Sequence, residues 1–67
     1  MEFNIVSIIG LGYIGLPTAA MIASRGIEVI GVDVSKHAVN TINRGEIHIV
    51  EPELDILVRG AVSTGRL

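Results

Sequence analysis

Apolar positions along this chain follow two rhythms, and the changes between them mark out its elements. Asn4 to Ile9 is a short, nearly unbroken apolar run that reads as a strand, apolar enough to be central rather than edge. From Tyr13 or Ile14 to about Arg25 the spacing becomes helical, with Ala19, Ala20, Ile22 and Ala23 as a small-residue face. Pro17 falls in the first turn of that helix, where a missing N–H costs little, and Gly26 is placed to stop it. Glu28 to Val32 reads as a second strand, parallel to the first because a whole helix separates them, with a right-handed crossover. Ser35 suits the N-cap of a second helix through about Arg44, with Ala38, Val39 and Ile42 inward and Gly45 as its stop. Ile47, His48, Ile49 and Val50 are extended in pattern, and Pro52 biases Glu51 away from helix. Pro52 then fits the first position of a third helix striped by Leu54, Leu57, Val58 and Ala61, leaving at Thr64-Gly65. Gly60 inside that helix costs about 1 kcal/mol relative to alanine.

The junctions carry the chemistry. Gly10-Leu11-Gly12-Tyr13-Ile14-Gly15 links the first strand to the first helix, and Asp33, 18 positions after Gly15, ends the second strand. Strand, glycine turn, helix, strand and acid form a dinucleotide-binding fingerprint in its expected context. Gly10 allows the sharp turn, Gly12 lets backbone approach a diphosphate, and Gly15 lets the helix pack closely on the strand. The diphosphate is expected over the N–H groups around Tyr13, Ile14 and Gly15, where the helix dipole favours an anion. Asp33 is expected to accept from the adenosine ribose hydroxyls, and its charge favours NAD over NADP. The competing reading is that Asp33 only begins the Asp33-Val34-Ser35 turn and caps the next helix. The Tyr13 ring reads as packing, Lys36 as solvated, and His37 and His48 as surface or supporting residues without metal-ligand spacing. Glu46, Glu51, Glu53 and Asp55 read as a solvated edge and a helix-start charge cluster.

The expected fold class is α/β: the start of a Rossmann-type doubly wound parallel sheet, βαβα plus a third helix, cut short. With 67 residues and half of them hydrophobic, the composition suits an aliphatic sheet covered on both faces. Two strands leave edges that more strands should cover, so residues 1–67 are expected to be the amino-terminal part of an NAD-binding domain. Its central and substrate domains would lie beyond Leu67. A net charge of −2, with five scattered basic residues, gives no nucleic-acid footprint. Zero cysteines exclude a disulfide framework, a thiolate metal site and a cysteine nucleophile within the chain. Phe3 to Ser24 lacks charge, but its glycines, Pro17 and Thr18, and Glu2 before it, argue against a membrane span or leader; a cytoplasmic protein is expected.

Ile8-Ile9-Gly10-Leu11-Gly12-Tyr13-Ile14-Gly15-Leu16-Pro17 and Gly31-Val32-Asp33-Val34 resemble the amino terminus of the UDP-glucose/GDP-mannose dehydrogenase family. The stretch from Ala38 to Leu54 is most similar to members acting on UDP-N-acetyl-D-mannosamine. The resemblance implies oxidation of a nucleotide-sugar C6 alcohol to a carboxylate in two NAD-dependent steps, without release of the aldehyde. It implies a cysteine that forms a thiohemiacetal and then a thioester, assisted by a lysine, all in later segments; no catalytic residue carries onto this chain, which alone would be inactive. The positions that do carry over are Gly10, Gly12, Gly15, the backbone of Tyr13 and Ile14, and Asp33. Some members place an arginine five positions after the acid, where this chain has Ala38. A UDP-sugar substrate for the full-length protein and a homo-oligomer are expected, with neither nucleic acid nor membrane as partner. A redox-sensing module that reads NAD, or a flavin-binding lobe, shares the glycine triplet; the Gly-Tyr-Ile-Gly-Leu-Pro run and Glu51-Pro52 favour the dehydrogenase, for which UDP-glucose or UDP-N-acetylglucosamine is the alternative substrate.

Overall fold

Two parallel strands carry three helices in a computed structural model that describes residues 5–67; the expected strand start at Asn4 lies outside them. In order these are β1 (Ile5–Ile9), α1 (Gly15–Ser24), β2 (Glu28–Val32), α2 (Lys36–Asn43) and α3 (Leu54–Ser63). The strands pair in register from Ile5 opposite Glu28 to Ile9 opposite Val32. The alternation of side chains then sorts the two faces. Val6, Ile8, Val29 and Gly31 face α1, while Ile5, Ile9, Ile30 and Val32 are exposed on the other side. Expected cover on both faces is therefore found on one only, among the described residues. Among the described residues, no helix is long and apolar enough to cross a membrane.

The small-residue face of α1 does what its composition allows. Leu16, Ala19, Ala20 and Ala23 are buried between the sheet and α3, whose Leu54, Val58 and Ala61 complete the core. Leu16 and Val58 are fully buried, each contributing about 1.5–3 kcal/mol of transfer free energy. Ile42 of α2 closes one end. Gly26 and Gly45, at φ 88° and 76°, end α1 and α2 in the left-handed conformation open to glycine. After α3 the chain returns along β2: the Val29 N–H donates to the Arg66 carbonyl at 2.6 Å, and Arg66 Nη1 donates to the Gly26 carbonyl at 2.8 Å.

Several boundaries differ from expectation. Tyr13 and Ile14 form a turn before α1, and Arg25 and Arg44 cap α1 and α2 rather than continuing them. Ile47 to Val50 forms no strand: it is a bent connection whose Ile47 and Ile49 pack against the core. Pro52 stands two residues before α3 rather than at its first position. The Leu54 N–H donates to the Glu51 carbonyl at 3.2 Å, and Glu53 has φ 65°, ψ −4°. That is a type II turn with proline at its second position and a left-handed residue at its third, where glycine is preferred. Glu53 therefore carries steric strain.

Three stability outcomes follow from this packing. Glu53→Gly is expected to raise stability by about 0.5–1 kcal/mol in urea titration, the strain relief outweighing glycine's entropy. Leu16→Ala is expected to cost about 2–5 kcal/mol, and Ile9→Ala, on the exposed face, within about 0.5 kcal/mol.

Candidate dinucleotide-binding site

The glycine corner is shaped by one close approach. A Cβ on Gly15 would lie 1.6 Å from the Gly10 carbonyl oxygen, so only glycine lets α1 start this near the end of β1. Gly10 adopts φ 89° and donates its N–H to the Val32 carbonyl at 2.8 Å, tying the corner to the end of β2. Gly12 is under neither constraint: its φ is not positive, and a Cβ there, as at Gly10, would meet nothing within 4 Å.

The amino end of α1 is left open by its own chain. Ile14 occupies the N-cap without a side-chain cap hydrogen bond, and the first turn holds no acid. The Leu16 N–H reaches the Gly12 carbonyl at 3.0 Å, and Pro17 has no N–H. Among the described residues, the N–H groups of Gly12, Tyr13, Ile14 and Gly15 donate to no protein acceptor. Helix-start donors without partners, beside an empty space where a side chain would stand, fit an anionic diphosphate. Tyr13 and Ile14 are exposed, so the expected packing of the Tyr13 ring is not present within the described residues.

Asp33 turns toward this corner. Its Oδ2 accepts from the Leu11 N–H at 2.8 Å, and its Oδ1 accepts from the Ser35 N–H at 2.8 Å. The turn reading of Asp33 is thus present in the geometry, without excluding the other: an ionised carboxylate has about four lone-pair sites, and two are used. Ser35 caps α2 as expected, accepting from the Ala38 N–H at 3.2 Å. Asp33 lies with Ile9, Gly10, Val32 and Val34 around an open, mainly apolar depression past the carboxyl ends of both strands. That is where doubly wound sheets bind ligands. The Leu11 and Ser35 N–H groups hold the Asp33 pKa below its ordinary value; desolvation opposes them, and the charge of His48 adds the smallest contribution in their favour.

Two features were missed in the sequence reading. Leu11 is 2% exposed, and a Cβ on Gly31 would meet its methyls at 2.9 and 3.0 Å. A glycine inside a strand often marks such an approach, so Gly31 was a usable signal. His48 is half-buried, with an unpartnered, buried Nδ1. Nothing in its spacing announced that, because an irregular connection places it. His37 is exposed, as expected.

A family model described as the UDP-glucose/GDP-mannose dehydrogenase family, NAD binding domain, matches residues 4–67. Over its whole length the chain is 66% identical to an NDP-N-acetyl-D-galactosaminuronic acid dehydrogenase of Ralstonia nicotianae, and 66% identical to a UDP-N-acetyl-D-mannosamine dehydrogenase of Escherichia coli. It spans 16% of the length of each. Among solved structures, a ternary complex of GDP-mannose dehydrogenase from Pseudomonas aeruginosa superposes with TM-score 0.91 at 50% identity, covering 92% of this chain and 14% of that one. A UDP-glucose dehydrogenase from Pyrobaculum islandicum gives TM-score 0.92 at 38% identity, covering 98% and 15%.

The glycines should separate by experiment. Gly15→Ala is expected to lose folded structure by circular dichroism, whereas Gly12→Ala should keep its melting temperature and lose dinucleotide affinity by about tenfold or more. The Asp33 linkage also has a fixed sign. Its folded pKa is lowered, so its stabilisation is present above about pH 4 and is lost as pH falls through the folded value. Urea midpoints from about pH 5 to about pH 3 should fall further for the native chain than for Asp33→Asn.

Proposed function

This chain belongs to the UDP-glucose/GDP-mannose dehydrogenase family, matching its NAD-binding domain, and on that premise we propose a specific role for it. It is the NAD-binding segment of a nucleotide-sugar 6-dehydrogenase that oxidises UDP-N-acetyl-D-mannosamine to its uronic acid, for polysaccharide precursor synthesis. The observation that carries the binding role is the open set of N–H groups from Gly12 to Gly15 beside the clear space at Gly12. In this reading those amides hold the diphosphate, Gly10 and Gly15 keep the corner tight, and Asp33 accepts from the adenosine ribose hydroxyls with its remaining lone pairs. NAD, when bound, supplies the hydride acceptor for each of the two steps.

Turning a primary alcohol into a carboxylate removes two hydrides and takes up one water, so each sugar oxidised reduces two NAD. These 67 residues hold no cysteine, so the covalent part of the reaction falls to residues outside them. They are proposed as the amino-terminal part of the complete domain. The unpaired apolar face of Ile5, Ile9, Ile30 and Val32 supports that reading, since a doubly wound sheet carries helices on both sides. A second reading has equal identity behind it: a nucleotide-linked N-acetyl-D-galactosamine as the sugar.

An assay of the full-length protein following NADH decides between them. UDP-N-acetyl-D-mannosamine is expected to give the highest kcat/KM and two NADH per sugar; a higher value for the galactosamine or glucose compound would overturn the assignment. In the same protein, Asp33→Asn is expected to narrow the NAD-over-NADP preference by about tenfold, as removing repulsion of a 2′-phosphate would. Unchanged selectivity would take Asp33 out of the ribose role.

A further inference from the structure

Asp33 is joined to the glycine corner through its own carboxylate, not only across a ligand. We propose that Asp33 is a positioning residue for the diphosphate site: by holding the Leu11 N–H and the Ser35 N–H on its two oxygens, it locks the Gly10–Gly15 corner to the start of α2. The proposal rests on the reading that this corner receives the diphosphate of NAD.

The geometry gives the lock two anchors on each side. Leu11 is fixed by its N–H on Oδ2 and by its side chain, which is buried in the core against Gly31. Ser35 is fixed by its N–H on Oδ1 and by its own Oγ, which caps α2. Both bonds are charge-assisted and 2.8 Å long, at the short end of the N–H to oxygen range. Leu11 immediately precedes the Gly12 to Gly15 amides, and its other neighbour, Gly10, is already tied to Val32. Fixing Leu11 therefore restricts the backbone at the point where the free amides begin. A corner ordered before the ligand arrives loses less entropy on binding. Asparagine at this position offers one carbonyl oxygen and one NH2 group, so it cannot accept from both N–H groups through separate oxygens. The lowered Asp33 pKa has the same two N–H groups as its leading causes.

The consequence is that a ligand without a ribose diol still depends on Asp33. Calorimetry on the full-length protein with ADP and with 2′,3′-dideoxy-ADP separates the roles. If Asp33 locks the corner, Asp33→Asn weakens dideoxy-ADP by about fivefold or more, with the melting temperature of the variant as control. Equal affinity of dideoxy-ADP for both proteins overturns the lock and leaves the ribose reading standing. The ribose reading fails by a different result: native protein binding ADP and dideoxy-ADP alike. A measurement on the unmutated protein covers the case in which the variant does not fold or the nucleotides do not bind. With isotope-labelled leucine and serine, the Leu11 and Ser35 amide protons should titrate together, at one midpoint below the usual carboxylate range. Separate midpoints, or a Leu11 amide that does not titrate, would contradict the proposal.

Discussion

The contact between the Gly10 carbonyl and the bare Cα of Gly15 is the constraint from which the site follows. A side chain at Gly15 would overlap that oxygen outright, so α1 can begin here only because Gly15 has none. Starting the helix this close to the strand presents its first amides at the end of the sheet, beside Asp33. Those amides have no capping side chain of their own, since Ile14 at the N-cap supplies none. A helix start with unpaired donors is unfavourable in isolation. It becomes useful when an anion supplies the acceptors.

Three ties hold that arrangement before any ligand arrives. Gly10 is bound to Val32, Leu11 is bound to Asp33 and buried against Gly31, and Ser35 is bound to the other oxygen of Asp33. They connect the ends of β1 and β2 and the beginnings of α1 and α2. Rigidity is thus concentrated where the ligand is proposed to sit, while the opposite sheet face stays apolar and uncovered among the described residues. The 16% of relatives' length that the chain spans therefore contains a built corner but only one covered side of the sheet.

Much of this was legible because the relevant signals are local. Glycines at both ends placed α1, and Ser35 and Gly45 placed α2, each to within a residue or two, with Ser35 capping where its side chain and position said it should. The apolar stripe of α3 was legible too, but its start was not. Pro52 fits a helix start and the second position of a type II turn equally well, and the tertiary path chose the turn at the expense of a left-handed Glu53. Ile47 to Val50 showed an apolar run without saying whether it pairs; the run packs through Ile47 and Ile49 and pairs with nothing in the sheet. In the site, the glycines and Asp33 were readable from spacing. The Leu11 bond was not, because it joins residues 22 apart in sequence.

Hydrogen–deuterium exchange across Gly10 to Leu16, with and without saturating NAD, probes the account at its centre. Amides that await a diphosphate should exchange fast in the free protein and slow sharply once the dinucleotide is bound, with Gly12 to Gly15 showing the largest change. Protection that appears elsewhere while those four amides exchange as before would mean that the helix start is not where the dinucleotide is held.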